Sequence, residues 1–306
     1  MSDSTALALA RRRLLATSVV VACALANDAF AVSVTDCGDS GAGTLRGIIA
    51  TAANNSTVDT SACSTITLST GAIPVAQNTL TINGPVAGRT TITAIGSPVK
   101  DRIFTHSGNL NFSLVRLDIE YGRAYDGSLS NPGPGVNGGC IASSGNVILT
   151  DSIVAHCSAN SLHGRVYGGG IFASGVVWAT RSSITGNLAT SLSASTYGGG
   201  VFSNGEFIAK YSAISGNVAC PNAGCGGIGG GVVARGGASI GNSTISGNAA
   251  RSTSGGVSLK SFSASPPAAT ISNSTISGNR AVTGAVGGVY ANVPLTVRSS
   301  TIAFNT

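Results

Sequence analysis

The sequence predicts an all-β solenoid, a parallel β-helix with a short N-terminal capping helix, and three observations carry that prediction. One phrase recurs as RSSITGN (Arg181 to Asn187), YSAISGN, NSTISGN twice and SSTIAFN. A glycine-rich phrase keeps step with it. Between the two, apolar side chains alternate with a period of two. The composition admits such a fold. Charged residues are 9% against a usual quarter, 43 of 306 residues are glycine, and 42% hydrophobic residues supply a core that a disordered low-complexity chain lacks.

Residues 1–31 read as a signal peptide. Arg11, Arg12 and Arg13 precede an apolar run from Leu14 to Ala26 that is too short to span a bilayer, and Ala29-Phe30-Ala31 forms a small-x-small cleavage site. VVAC ending at Cys23 resembles a lipobox, which would make Cys23 a lipid anchor, and the arginine run resembles a twin-arginine signal. The later Ala-Phe-Ala site completes the usual order of regions and favours ordinary secretion, to the medium or to the cell surface or outer membrane. With the signal removed, 14 basic and 9 acidic side chains remain, scattered singly along the chain, which argues against a nucleic-acid groove.

Six cysteines also remain: Cys37, Cys63, Cys140, Cys157, Cys220 and Cys225. An even number in an exported chain favours disulfides, and sequence neighbours suggest 37–63, 140–157 and 220–225, one pairing among the 15 that six cysteines permit. No Cys-x-x-Cys occurs, and His106, His156 and His163 lack the spacing of metal ligands.

Residues 32–63 form the expected N-terminal cap. Leu45, Ile48, Ile49 and Ala52 make an apolar stripe at helical spacing behind Thr44, which can N-cap the helix. Residues 64–306 are the expected coil stack. Aligned on its isoleucine, the phrase falls at Ile153, Ile184, Ile214, Ile245, Ile276 and Ile302, in steps of 31, 30, 31, 31 and 26. The glycine phrase starts at Gly138, Gly168, Gly198, Gly229, Ser254 and Val286, ahead of those isoleucines by offsets of 15, 16, 16, 16, 22 and 16. From the closing asparagine to the next glycine phrase the gap wanders between 6 and 12. Stacked strands must keep register whereas a loop can grow, so the constant interval reads as wall and the variable one as loop. The single long interval, from Ser254 to Ile276, contains SASPP, Ser263 to Pro267, a loop insertion.

Within the wall, Val177, Phe207, Ala238, Ala269 and Leu295 face inward, as do Ala179, Ala209, Ile240, Ile271 and Val297. Trp178, Ile208, Ser239, Thr270 and Thr296 alternate with them. Period two means strand, and short strands stacked at this repeat length leave a parallel β-helix as the solution. Asn187, Asn217, Asn248, Asn279 and Asn305 then form a corner ladder that tolerates left-handed backbone, with His156 standing in one coil earlier. Ser182, Ser212, Ser243, Ser274 and Ser300 form a parallel hydroxyl ladder. After Asn305 only Thr306 follows, so the reading expects no C-terminal cap. The final coil then belongs to a longer chain or self-associates through Val297 and Ile302.

GGGI and GGGV alternating with IxGN and a final FNT resemble the repeats of the polymorphic outer-membrane proteins, over residues 138–306. That resemblance implies a right-handed β-helix of the pectin-lyase-like superfamily. DSGAGTLRGIIATAANN, followed by STITL and TLTINGP, resembles the opening of bacterial secreted β-helix proteins of the CSLREA type, whose Leu-Arg segment is a capping helix.

Chemistry is harder to find. Lyases of this fold need an acidic cluster for Ca²⁺ and a basic residue, and from Asp151 onward the one later carboxylate is Glu206. The one candidate cluster is Asp118, Glu120, Asp126 and Asp151 with Arg116 and Arg123, read as solvated charges. The Asn-Thr-Asp, Asp-Asp and Gly-His-Gly signatures of polygalacturonases do not occur. Tyr167 and Tyr197, one repeat apart before successive GGG runs, should stack and can cradle a sugar ring or simply pack their own loop. No residue is assigned a catalytic, cofactor-binding or metal-binding role, and no cofactor is expected. The expected function is an adhesin-like surface or secreted scaffold with a polysaccharide or host/cell-surface ligand. The alternative is a carbohydrate-active lyase or glycoside hydrolase on the same fold.

Overall fold

A computed structural model describes residues 31–130, 133–284 and 286–306 of the chain. The signal-peptide reading and Cys23 lie outside the described residues except for Ala31. The described residues form a right-handed parallel β-helix. From Ile73 onward each coil contributes one short strand to an eight-stranded, then a ten-stranded, then a nine-stranded wall. Ala31–Ser33 and Ser56–Asp59 extend the second wall and Thr65–Thr67 the third at the N-terminal end, and strand pairing is parallel throughout. The inward residues of the three walls fuse into one apolar core running from Val34 to Val293. The inward columns expected from alternation hold. Val177 pairs with Phe207, Ala179 with Ala209 and Ile240 with Ile271, all buried, while Trp178, Ile208 and Lys210 point outward.

The isoleucine column is also in place. Ile184 pairs with Ile214, Ile214 with Ile245, Ile245 with Ile276 and Ile276 with Ile302. Its first member needs correction: Val154, fully buried, pairs with Ile184, and Ile153 pairs with Ser183 on the outer face. Counted to Val154, the glycine phrase at Gly138 regains the interval that most of the others keep. Packing at this position asks only for a β-branched side chain, so valine fills here the place that isoleucine fills in the later coils.

The serine ladder stands as expected and extends one coil earlier, whereas the first member of the asparagine ladder shifts by one position. Ser152 heads the hydroxyl ladder: its N–H donates to Ser182 Oγ at 3.2 Å, and Ser182, Ser212 and Ser243 each donate to the next serine Oγ at 3.1 Å. Cys157, not His156, holds the ladder position above Asn187, and its N–H donates to Asn187 Oδ1 at 3.0 Å. The left-handed residue at that corner is not the asparagine but the one before it: Gly186, Gly216, Gly247 and Gly278 at φ 63°, His156 at 54° and Phe304 at 56°. Asparagine is used there for its amide, which bonds along the axis, and glycine for the turn.

The variable stretch is not simply loop. From Arg123 onward it carries strands of a six-stranded sheet (Ser158–Ser161, Leu188–Ser191) and a four-stranded sheet (Val166–Tyr167, Thr196–Tyr197). They enclose a second small core of Ala124, Val136, Ala159, Val166 and Ala189. Small side chains let the two sheets of this side lobe close tightly, and its turn lengths vary without disturbing the main walls.

At the N-terminal end, helix α1 (Leu45–Thr51) lies over the first coils with Leu45, Ile48 and Ile49 buried, and Thr44 Oγ1 accepts from the Gly47 N–H. Arg46 pins it. Its guanidinium donates to Asp39 Oδ1 at 2.7 Å and to the carbonyls of Gly71 and Ala72, while Asp39 Oδ2 accepts from the N–H groups of Ser69 and Thr70. The three disulfides match the neighbour pairing: Cys37–Cys63 brackets the cap, Cys140–Cys157 ties the glycine corner to the asparagine corner, and Cys220–Cys225 closes a side-lobe turn. Burial alone would raise the Asp39 pKa, but Arg46 and the Ser69 and Thr70 donors overcome it and hold it at about 2, below the ordinary 3.8. A carboxylate with a depressed folded pKa stabilises fully above its unfolded value and loses that contribution as pH falls through the folded one. Between pH 4 and pH 2 the cap should therefore lose about 2 kcal/mol. Thermal melts of the wild type should drop steeply over that window, whereas Asp39→Asn should start less stable and show a flatter profile.

At the last coil the inward columns lose their cover. Val297 and Ile302 are each 44% exposed and Phe304 is 88% exposed, whereas Ile271 and Ile276, one coil earlier in the columns of the first two, are buried.

Candidate functional site

The acidic cluster divides. Asp118 and Glu120 share the outer face of the nine-stranded wall, as alternation expects, but Asp126 lies on the six-stranded sheet with Arg123 and accepts from Ser161 Oγ at 3.1 Å. Of the carboxylates that stay together, Asp118 and Asp151 face arginines, whereas Glu120 makes no ion pair among the described residues. Arg89 faces Asp118 at 3.5 Å and donates to the Asp151 carbonyl at 2.7 Å, and Arg181 makes a two-point ion pair with Asp151. Arg116 donates to the Gly84 and Pro85 carbonyls. Burial raises the Asp118 pKa against the pull of Arg89; burial and the Asp118 charge raise that of Glu120 against the pull of His156. The adjoining cleft of about 430 Å³ is lined by Arg89, Arg181 and hydroxyl side chains, and neither raised carboxylate lines it.

The tyrosines build a more definite site. Tyr167 and Tyr197 are register partners at the rim of the side lobe, stacked with centroids 5.0 Å apart and 10° between planes. Phe172 and Phe202, on the outer face of the eight-stranded wall, stack in parallel at 5.7 Å, and Tyr167 meets Phe202 edge-on at 4.9 Å. Arg235 lies over Phe202 at 5.0 Å and over Phe262 at 5.2 Å, and donates to Asn204 Oδ1 at 3.2 Å. Lys260 also lies over Phe262, at 5.6 Å. Phe202 is only 2% exposed beneath this cover, whereas Phe262 is 72% exposed. A cleft of about 270 Å³ runs between Asn137, Tyr167, Phe172, Phe202, Asn204 and Arg235. A second cleft of about 450 Å³ is lined by His163, Arg165 and Ser193. Tyr167 borders both clefts.

Phe172, Phe202, Arg235, Lys260 and Phe262 were not singled out from sequence, yet a signal existed. At one fixed offset from the start of each glycine phrase come Ser174, Asn204, Arg235 and Lys260, one corner column. Phe262 sits in the excursion between strands Val257–Leu259 and Ala269–Ser272, so the insertion that breaks the constant interval delivers a ring to the site. The scatter of charge along the sequence was also misleading. After Asp151 come eight Lys and Arg residues against the single carboxylate of Glu206. The three histidines are apart: His106 is buried between Gln77 and Ser143, His156 stacks on Tyr121, and His163 bonds Ser193.

The fold is a disulfide-bonded parallel β-solenoid that carries an aromatic and cationic ledge on its outer face. Set against protein families, curated proteins and solved structures, the chain matches none.

Proposed function

We propose that the chain is an exported, adhesin-like interaction scaffold, held at the cell surface or released, whose contact surface is the Tyr167–Phe262 ledge. The observation that carries this reading is the contrast between surfaces. The serine and asparagine side chains that recur most often are spent on bonds along the axis, while the ledge gathers five aromatic rings and two cations at the outer face. Three disulfides suit an oxidising compartment, the Arg-rich, apolar N-terminus suits export, and the repeat resembles that of polymorphic outer-membrane proteins.

A second reading, a carbohydrate-active enzyme on the same fold, draws on Asp118 and Glu120, two outward carboxylates with raised pKa on one strand. Incubating the chain from Val32 onward with a polysaccharide panel, and reading both retention and unsaturated or reducing ends, separates the two. The scaffold reading expects retention with polymer length unchanged. Steady release of new chain ends, abolished by Asp118→Asn or Glu120→Gln, would establish the enzyme instead.

A further inference from the structure

The ledge carries information about its ligand. Stacked and edge-on rings present flat apolar surface, and a sugar ring offers a matching face of C–H groups with polar groups at its edge. Rings alone would suit a neutral glycan. Here the rings are interleaved with guanidinium and ammonium groups that no carboxylate neutralises. Arg235 spends one of its five N–H donors on Asn204, and among the described residues Arg235, Lys260 and Arg165 form no ion pair. Arg165 and Arg235 line separate clefts that both border Tyr167, so a cation stands in each. No carboxylate lines either cleft. Holding Arg235 between Phe202 and Phe262 limits its motion, so little rotamer freedom is left to lose when it meets an anion.

We propose that this ledge is a binding site for an acidic polysaccharide, its sugar rings lying against Tyr167, Tyr197 and Phe262 and its carboxylate or sulfate groups meeting Arg165, Arg235 and Lys260. The inference rests on the scaffold reading above and names the ligand class for it. Two clefts that share Tyr167 as a lining residue suit a polymer better than a small enclosed molecule, because a chain lying across that ring reaches both. The field of the later coils, eight cations to one carboxylate, draws such a polymer in and makes its capture depend on salt.

The test compares polygalacturonate, dextran sulfate, neutral dextran and single-stranded DNA by titration calorimetry at low and moderate salt. The acidic glycans should bind at least about tenfold more tightly than neutral dextran, weakening as salt rises. Which of the two binds better assigns the carboxylate or the sulfate. Arg235→Gln/Lys260→Gln should weaken both by about tenfold or more, and Phe262→Ala, at an exposed loop position, should weaken them without lowering the melting temperature. Equal binding of neutral dextran, an unaffected double variant that melts like wild type, or DNA bound as tightly as the glycans would each overturn the proposal. The scaffold reading fails separately: a bound acidic glycan that is shortened sinks the scaffold and leaves the ligand class standing. A chain that coats cells yet ignores every acidic glycan does the reverse.

Discussion

Gly199→Ala should prevent the chain from folding or cost about 4 kcal/mol or more. A Cβ at Gly199 would stand 2.3 Å from the Gly230 carbonyl oxygen and 2.4 Å from the Val218 carbonyl carbon. These are backbone atoms of the neighbouring coil and of the same coil's own turn, so no side chain can swing away. Relief would require separating two coils that share ladder bonds along every wall. The control is another glycine. A Cβ at Gly241 meets nothing nearer than Ser272 Oγ at 3.5 Å, and Gly241 does not have the left-handed φ of the turn glycines. Gly241→Ala should therefore be neutral or stabilise by up to about 1 kcal/mol through the unfolded chain. Chemical denaturation of both variants checks the pair, and similar midpoints would contradict the coil-to-coil contact at the glycine corner.

The second large effect is expected at the centre of the asparagine ladder. Asn217 is fully buried; its Oδ1 accepts from the Asn187 N–H at 3.0 Å and from Asn187 Nδ2 at 2.9 Å, and its Nδ2 donates to the Ile184 carbonyl at 2.9 Å. Alanine there strands two donors and one acceptor where water has no access, so Asn217→Ala should cost about 3 kcal/mol. Asparagine-to-aspartate, nearly the same shape, should do no better, because an acid can accept from Asn187 but cannot donate to Ile184 while ionised. Asn305→Ala, at the partly exposed last rung, should cost about 1 kcal/mol, since solvent can replace the lost partner. Denaturation midpoints should place Asn305→Ala well above both Asn217 variants. A uniform small effect would mean that the ladder does not act as a buried network.

The walls were legible in the sequence because their constraint is rigid. A strand in a stack cannot gain or lose a residue without turning its core face outward, so the near-constant spacing from Ile184 to Ile276 and the fixed interval behind each glycine phrase expose the register directly. The error at Ile153 shows the limit: identity of residue was matched where equivalence of packing was needed, and the misplaced ladder role of His156 followed from it. The side lobe was illegible for the opposite reason. Its strands Val166–Tyr167 and Thr196–Tyr197 are too short to show alternation, and its core is built of alanine and valine that resemble loop composition. The tyrosine stack was readable because its two members stand one full repeat apart. The rest of the ledge draws on three separate segments of each coil, which sequence spacing does not join. Arg235 and Lys260 stand closer in sequence than a regular repeat would place them, and Phe262 reaches them through an insertion.

The central claim, that contact with ligand is concentrated on the ledge while the ladders hold the walls, is tested most directly by hydroxyl-radical footprinting with polygalacturonate present and absent. Oxidation of Tyr167, Tyr197, Phe172 and Phe262 should fall on addition of the polymer. Tyr211, 64% exposed beside the Arg89–Arg181 cleft, and Phe304, 88% exposed on the last coil, should react as before. Protection centred on Tyr211 with the ledge unchanged would place the contact at the Arg89–Arg181 cleft and contradict the account.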